Sequence, residues 1–236
     1  VGLQQDRAMR TRRLMLKSAA EVFDRDDYAS ARLFDISARA NMSTGALHFH
    51  FANKEDLAQA VVHEARGTLW RAARLAYEKN SEPLQALTDI SHTLGRLLTW
   101  DVVSRAGLRL DNDRSRKGRE QFIQAWHACV KRLLDRARQE GRLAAHVQSQ
   151  AMTCAIVAAT TGICVLIKGG EGDRIRMAFT GFWQGFLPGL AAPDVLGGLN
   201  PGGTDEVVDY AVTASRYLPY DPEDAVGTKV AASEVR

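Results

Sequence analysis

The chain has 236 residues, 45% apolar and 25% charged, with a formal net charge of +3, enough apolar content to bury a sizeable core as one large domain or as a small one joined to a larger one. No apolar run reaches the roughly eighteen residues of a membrane span and no signal-peptide pattern opens the chain, so a cytoplasmic protein with no membrane partner is expected. The charge is unevenly placed: residues 1–193 carry 28 Lys and Arg against 20 Asp and Glu, while residues 194–236 carry 3 against 8. A basic body with an acidic appendage suits a polyanion binder. The three cysteines, Cys129, Cys154 and Cys164, have no metal-ligand spacing and read as buried small hydrophobes.

In chain order, residues 1–17 are basic, with Arg7, Arg10, Arg12, Arg13 and Lys17 against Asp6, and lead into a helix marked by Leu14, Ala19, Ala20, Val22 and Phe23. Asp24 to Ser30 is expected to be a polar loop, with Tyr28 packing on the helices that follow. Leu33, Ile36 and Ala40 recur at i, i+3 and i+7, the face of a short amphipathic helix. Asn41 tolerates the left-handed backbone of a sharp reversal, Met42 plugs the angle, and Ser43 offers a hydroxyl to the next helix. In that helix Gly45 and Ala46 let the backbone approach a surface closely, and Thr44 presents both a hydroxyl and a methyl group. Leu47 and Phe51 turn to the core with Phe49 near the edge, which leaves His48 and His50 for a groove or a phosphate. Two histidines two residues apart do not share a helical face, so metal ligation is not expected. An imidazole on a phosphate would make affinity rise as pH falls towards about 6. The whole is a helix-turn-helix, whose second helix fits a DNA major groove. Asn53 then caps a long helix, 54–79, carrying Leu57, Val61, Val62, Ala65, Leu69, Ala72, Ala73 and Ala76. Lys54 stands at its start, where the helix dipole does not favour a cation, and this suggests an outside anion.

The run DISARANMSTGALHFHFANKEDL, from Asp35 to Leu57, resembles the DNA-binding segment of the tetracycline-repressor (TetR) family, and its GAL to KEDLA part resembles the γ-butyrolactone-receptor branch. The likeness extends over roughly residues 10–60. This chain has Asn41 where the family usually has Gly, Thr44 for Lys, His48 for Tyr, Asp27 for Gly, and Arg32 for Ser or Thr. The resemblance implies phosphate-backbone contacts for Arg10, Arg12 or Arg13 and for Lys54. With Thr44, Gly45, His48 and His50, these are the DNA-binding candidates.

After a break at Ser81 to Pro83, helices are expected at about 84–100, 102–111, 119–140, 146–168 and 172–191, divided by Arg114 to Gly118, Gly141 and the glycines 169, 170 and 172. No strand alternation is present. A small molecule is expected in this region, where Leu87 and Leu98 belong to a leucine-rich helix. The run VSRAGLRL, from Val103 to Leu110, and Trp126 both resemble the same branch, in which the matching Trp lines the ligand pocket; Thr161 falls on a pocket-facing position by a looser alignment. The alternatives are a core role for Trp126 and, for Thr161, a hydroxyl bonded one turn back. The helices at 146–168 and 172–191 are apolar on more than one face, which fits a symmetric dimer. PDVLGGLNPGG is a linker by composition, and Thr204 to Leu218 form one further helix capped by Thr204.

The expected fold is all-α: a three-helix DNA-binding domain at 1–53, a helical ligand-binding and dimerisation domain at 54–193, and an acidic tail at 194–236. The resemblance implies a homodimeric repressor of double-stranded operator DNA, released by a small lipophilic effector of the γ-butyrolactone, butenolide or furan type. A related pseudo-receptor answering to an antibiotic or biosynthetic intermediate is the alternative. No nucleophile-base spacing, phosphate loop, metal cluster or paired carboxylates suggest an enzyme, and no cofactor is expected.

Overall fold

The computed structural model describes residues 2–113, 115–116, 121–166 and 171–216. Its elements are α1 (Gly2–Ser30), α2 (Leu33–Arg39), α3 (Thr44–His50), α4 (Lys54–Glu78), α5 (Pro83–Trp100), α6 (Val102–Asn112), α7 (Gln121–Gln139), α8 (Ser149–Leu166), α9 (Gly172–Leu190), α10 (Pro193–Leu196) and α11 (Asp205–Ala214). The expected all-α fold is what forms. The expected extensions of the later helices to 119, 168 and 218 lie outside the described residues.

Two compact units divide the chain, one of Val1–Arg66 with Asp101–Glu120 and the other of Gly67–Trp100 with Gln121–Arg236. This division into compact units runs across the linear boundaries expected at 53/54 and 193/194. The physical reason lies in α6. Its Ala106 and Leu110 are buried, and Gly107 lies so near α4 that a Cβ there would sit 2.2 Å from the Ala65 Cβ. Arg105 Nε and Arg109 Nη1 reach the Asp24 carboxylate of α1 at 2.9 and 3.2 Å, so α6 belongs with the first unit although it follows α5 in sequence. Met15, Leu16, Phe23, Ile36, Leu47, Leu57 and Val61 fill this unit's interior, whereas Leu14 is 46% exposed and not part of it. Asp24 to Ser30, expected as a loop, stays helical except at Asp27.

The second unit is a layered helical core in which Leu84, Leu87, Ile90, Leu133, Ile156 and Trp183 meet. α5 is its axis, packed by α7, α9 and α11. At the α5–α9 crossing the Phe179 ring packs directly on Gly95, where a Cβ would lie 2.5 Å from it. α8 has 18 residues and a mean hydropathy of 1.6, so one described helix does meet the length and composition of a span, contrary to the expectation; 22% of it is buried in this chain, with its inner side on α7.

The stretch from Pro193 onward is folded through Ala214 rather than a free linker. Asp89, wholly buried, accepts from Asn80 Nδ2 at 2.5 Å, Gln85 Nε2 at 2.9 Å and the Thr204 backbone N–H at 2.7 Å. Thr204 holds the expected N-cap position of α11, but its hydroxyl makes no cap bond. His92 Nε2 lies 3.0 Å from the Pro201 carbonyl, and burial holds its pKa below the ordinary imidazole value of 6.5. The unfolded chain therefore binds a proton at that site before the folded one does, and stability present above pH 6.5 should be lost progressively as pH falls below it. Urea denaturation of wild type and His92→Gln between pH 7.5 and 5.5 checks this, with the variant showing the flatter profile.

Candidate functional site

The turn of the helix-turn-helix is a Schellman closure. Asn41 takes φ 54°, its N–H donates to the Ala38 carbonyl at 3.0 Å, and the Met42 N–H donates to the Ser37 carbonyl at 2.9 Å. Asn does here what glycine would, because its short polar side chain tolerates the left-handed region. Ser43 Oγ accepts from the Ala46 N–H at 3.1 Å, and Asn53 Oδ1 accepts from the Asp56 N–H at 2.9 Å, so both expected caps form. The Ser37 hydroxyl donates to the Phe34 carbonyl at 2.9 Å; its one proton spent, it accepts from the Thr44 hydroxyl at 3.2 Å. Thr44 thus anchors α3 to α2 through its oxygen.

On α3, Leu47 points inward and is 1% exposed, while Gly45, His48 and His50 are exposed. Phe49, expected near the core edge, is 87% exposed. At 3.6 residues per turn it lies about 160° round the helix from Leu47, a signal present in the sequence. Arg10, Arg12 and Arg13 are all exposed on α1, and Arg12 alone of the three is described against an aromatic ring, its guanidinium 5.9 Å from the centre of Phe51 at the end of α3.

Lys54 is placed differently from expectation. Its Nζ donates to the carbonyls of Tyr28, Ala29 and Ala31 at 2.8, 3.3 and 3.1 Å and lies 4.6 Å from the centre of the Tyr28 ring. The cation that the α4 dipole does not help closes the carbonyl end of α1 instead, an inside partner where an outside anion was expected. Arg116 lies on the same Tyr28 ring at 5.2 Å and pairs with Glu55 at 2.8 Å, which holds the Glu55 carboxyl below its usual range. Burial first, and then hydrogen bonding to Glu55, push the Tyr28 phenol up to about 12.

In the second unit a cleft of about 190 Å³ opens between the later half of α4, α5 and α7, with Trp70, Tyr77, Ile90, Cys129, Arg74 and Arg132 among its walls. Trp70 and Tyr77 stand seven apart on α4, a helical stripe that the sequence reading passed over. Burial pushes the Cys129 thiol up to about 11, so it acts as an apolar wall rather than a nucleophile. Of the expected ligand residues, Leu87 is fully buried in the core and Leu98 nearly so, and neither lines this cleft. Trp126 is half-buried one position from the lining Ala125, and its indole N–H donates to Thr160 Oγ1 at 2.8 Å. Thr160, not Thr161, is the partner, because Thr160 shares the inward face of α8 with Ile156, to whose carbonyl its own hydroxyl donates at 2.7 Å.

Residues 15–61 match the model of bacterial regulatory proteins, tetR family. The chain is 30% identical over 223 residues to the A-factor receptor protein of Streptomyces griseus, covering 94% of this chain and 78% of that one. It superposes on a γ-butyrolactone receptor, an ArpA-like protein, with TM-score 0.70 and 25% identity over 90% of this chain and all of the receptor. With CprB of Streptomyces coelicolor in complex with its biological operator sequence the TM-score is 0.67, at 25% identity over the same shares.

Two substitutions test the local geometry. Lys54→Met should lower stability by roughly 1–2 kcal/mol, the loss of charge-assisted bonds closing α1, and leave the salt dependence of DNA binding unchanged, as paired urea melts and binding isotherms would record. Asp27 has φ 61° and ψ 168°, a region essentially reserved for glycine, and its side chain is exposed. Asp27→Gly should raise stability by about 1–2 kcal/mol, visible as a higher melting temperature.

Proposed function

The chain belongs to the tetR family of bacterial regulatory proteins, and from that premise we propose a homodimeric repressor that binds operator DNA through α3 and lets go when a γ-butyrolactone-type signal occupies the second unit. The observation that carries this is the outward face of α3. Gly45, His48, Phe49 and His50 stand free of the core on a helix locked in place by the Asn41 turn and the Ser43 cap, the arrangement in which a recognition helix enters a major groove. Thr44, Gly45, His48 and His50 meet the groove, and Arg10, Arg12 and Arg13 meet phosphates on either side of it. Lys54 contributes by holding α1 and α4 together, so that the arginines of α1 and the reading helix keep one register.

The dimer forms through α8 and α9. A Cβ added at Gly162, Gly181, Gly185 or Gly189 would touch nothing within 4 Å, and Val165, Leu166 and Met177 are each more than two-thirds exposed. Small residues at 181, 185 and 189 let a second pair of helices approach closely, and the exposed apolar face of α8 becomes core in the assembly rather than a membrane span.

The effector takes the cleft beside α7. Aromatic walls from Trp70 and Tyr77 suit an acyl chain, while the Trp126 to Thr160 hydrogen bond ties α7 to α8 at the edge of the site. α4 begins at the Asn53 cap next to α3 and continues to Tyr77, about 37 Å of helix at the usual rise. A ligand that shifts its later half therefore acts on its earlier half through one unbroken hydrogen-bond ladder. Emptying the operator requires the effector to prefer the released conformer by about 5 kcal/mol. That relatives of this chain are receptors for A-factor and for a γ-butyrolactone favours a hormone over a biosynthetic intermediate, and a regulator over an enzyme.

Gel shifts against the DNA flanking the gene, with and without a synthetic γ-butyrolactone, test the reading directly; a shift that the lactone does not reverse would remove the effector assignment. Trp126→Phe keeps the ring and deletes the indole N–H. It should raise the lactone concentration needed for release about tenfold, through loss of the hydrogen bond that ties α7 to α8 beside the cleft, with operator affinity within about twofold. An equal fall in operator binding would make Trp126 structural.

A further inference from the structure

Phe49 is the large apolar side chain on the outward stripe of α3, and the groove contacts assigned to Thr44, Gly45, His48 and His50 leave it without a role of its own. Its companion on that stripe, one turn earlier, is Gly45, where an added Cβ would find only Ser43 Oγ at 3.9 Å. The ring therefore rises from a nearly bare helix surface with open space at its foot. It is also held: its edge-on contact with the His50 imidazole, 5.4 Å between centroids at 87°, narrows the orientations it can take. A phenylalanine 87% exposed at the crest of a helix forgoes the transfer free energy that burial would return.

What a hydrocarbon ring meets in a major groove is limited. Guanine, adenine and cytosine edges offer donors and acceptors, which a phenyl ring would desolvate without replacing their hydrogen bonds. Thymine alone adds an apolar group, the C5-methyl. Resting on the reading that α3 enters the groove, we infer that Phe49 is a specificity-determining residue that reads thymine methyl groups in each half-site, packing its ring on one or two of them. Gly45 makes this possible by leaving the backbone close to the bases, so that the ring reaches the groove floor beside the helix. The discrimination needs no hydrogen bond and no charge, so it should persist at high salt, where phosphate contacts weaken.

The test is a thermodynamic cycle on a duplex selected by the full-length protein from a random-sequence pool. Each thymine is replaced in turn by deoxyuridine, which removes only the methyl group. For wild type, affinity should fall about fourfold at one or two positions per half-site, the worth of one buried methyl. Phe49→Ala and Phe49→Leu should bind the thymine duplex more weakly, the alanine variant with no further loss on deoxyuridine substitution and the leucine variant with an intermediate one. Because Phe49 is exposed, melting temperatures should match wild type. If no thymine matters to wild type, or if deoxyuridine weakens wild type and Phe49→Ala equally, the inference is overturned while DNA binding stands. Failure of the wild-type protein to select any duplex overturns both.

Discussion

The reading unit depends on the closure of α6 against α1 and α4. α2 and α3 have seven residues each, too short to hold a helical conformation alone, so their geometry is set by what they rest on. That support is α1 and the first half of α4, and α6 clamps both: Asp24 takes two arginines from it, and Gly107 gives it a backbone-close seat on Ala65 and the Val61 carbonyl. The Arg105 and Asp24 side chains are each only 18% exposed, so each needs the other to offset the loss of water. With α6 in place, the Asn41 turn and the Ser43 cap suffice to aim α3.

A second anchoring point joins three segments distant in sequence. Lys54 and Arg116 approach the same Tyr28 ring, and the lysine closes the last carbonyls of α1 while the arginine pairs with Glu55. Their charges serve the fold, whereas Arg10, Arg12 and Arg13 remain on the surface. A basic sequence thus separates into cations that build the unit and cations that face outward, and only contacts distinguish them.

The second unit is organised differently. Its apolar core is continuous around α5, and its polar interior is concentrated at Asp89, Gln85 and His92, which hold the 194–214 segment down by backbone and side-chain hydrogen bonds. The cleft lies away from this network, against the face of α4 that carries Trp70 and Tyr77.

Periodicity and turn chemistry by themselves determined the helices, the left-handed turn at Asn41, the caps at Ser43 and Asn53 and the outward placing of His48 and His50, because these are set by residues within a few positions of one another. Tertiary structure alone decided that α6 joins the first unit, that Lys54 has an inside partner, that Thr160 rather than Thr161 meets Trp126, and that Leu87 is core rather than cleft. Each of those rests on a group far away in the chain, an α1 carbonyl for Lys54 or an α1 carboxylate for α6, and the free energy of a packed pair belongs to the pair. No pattern within either segment encodes it.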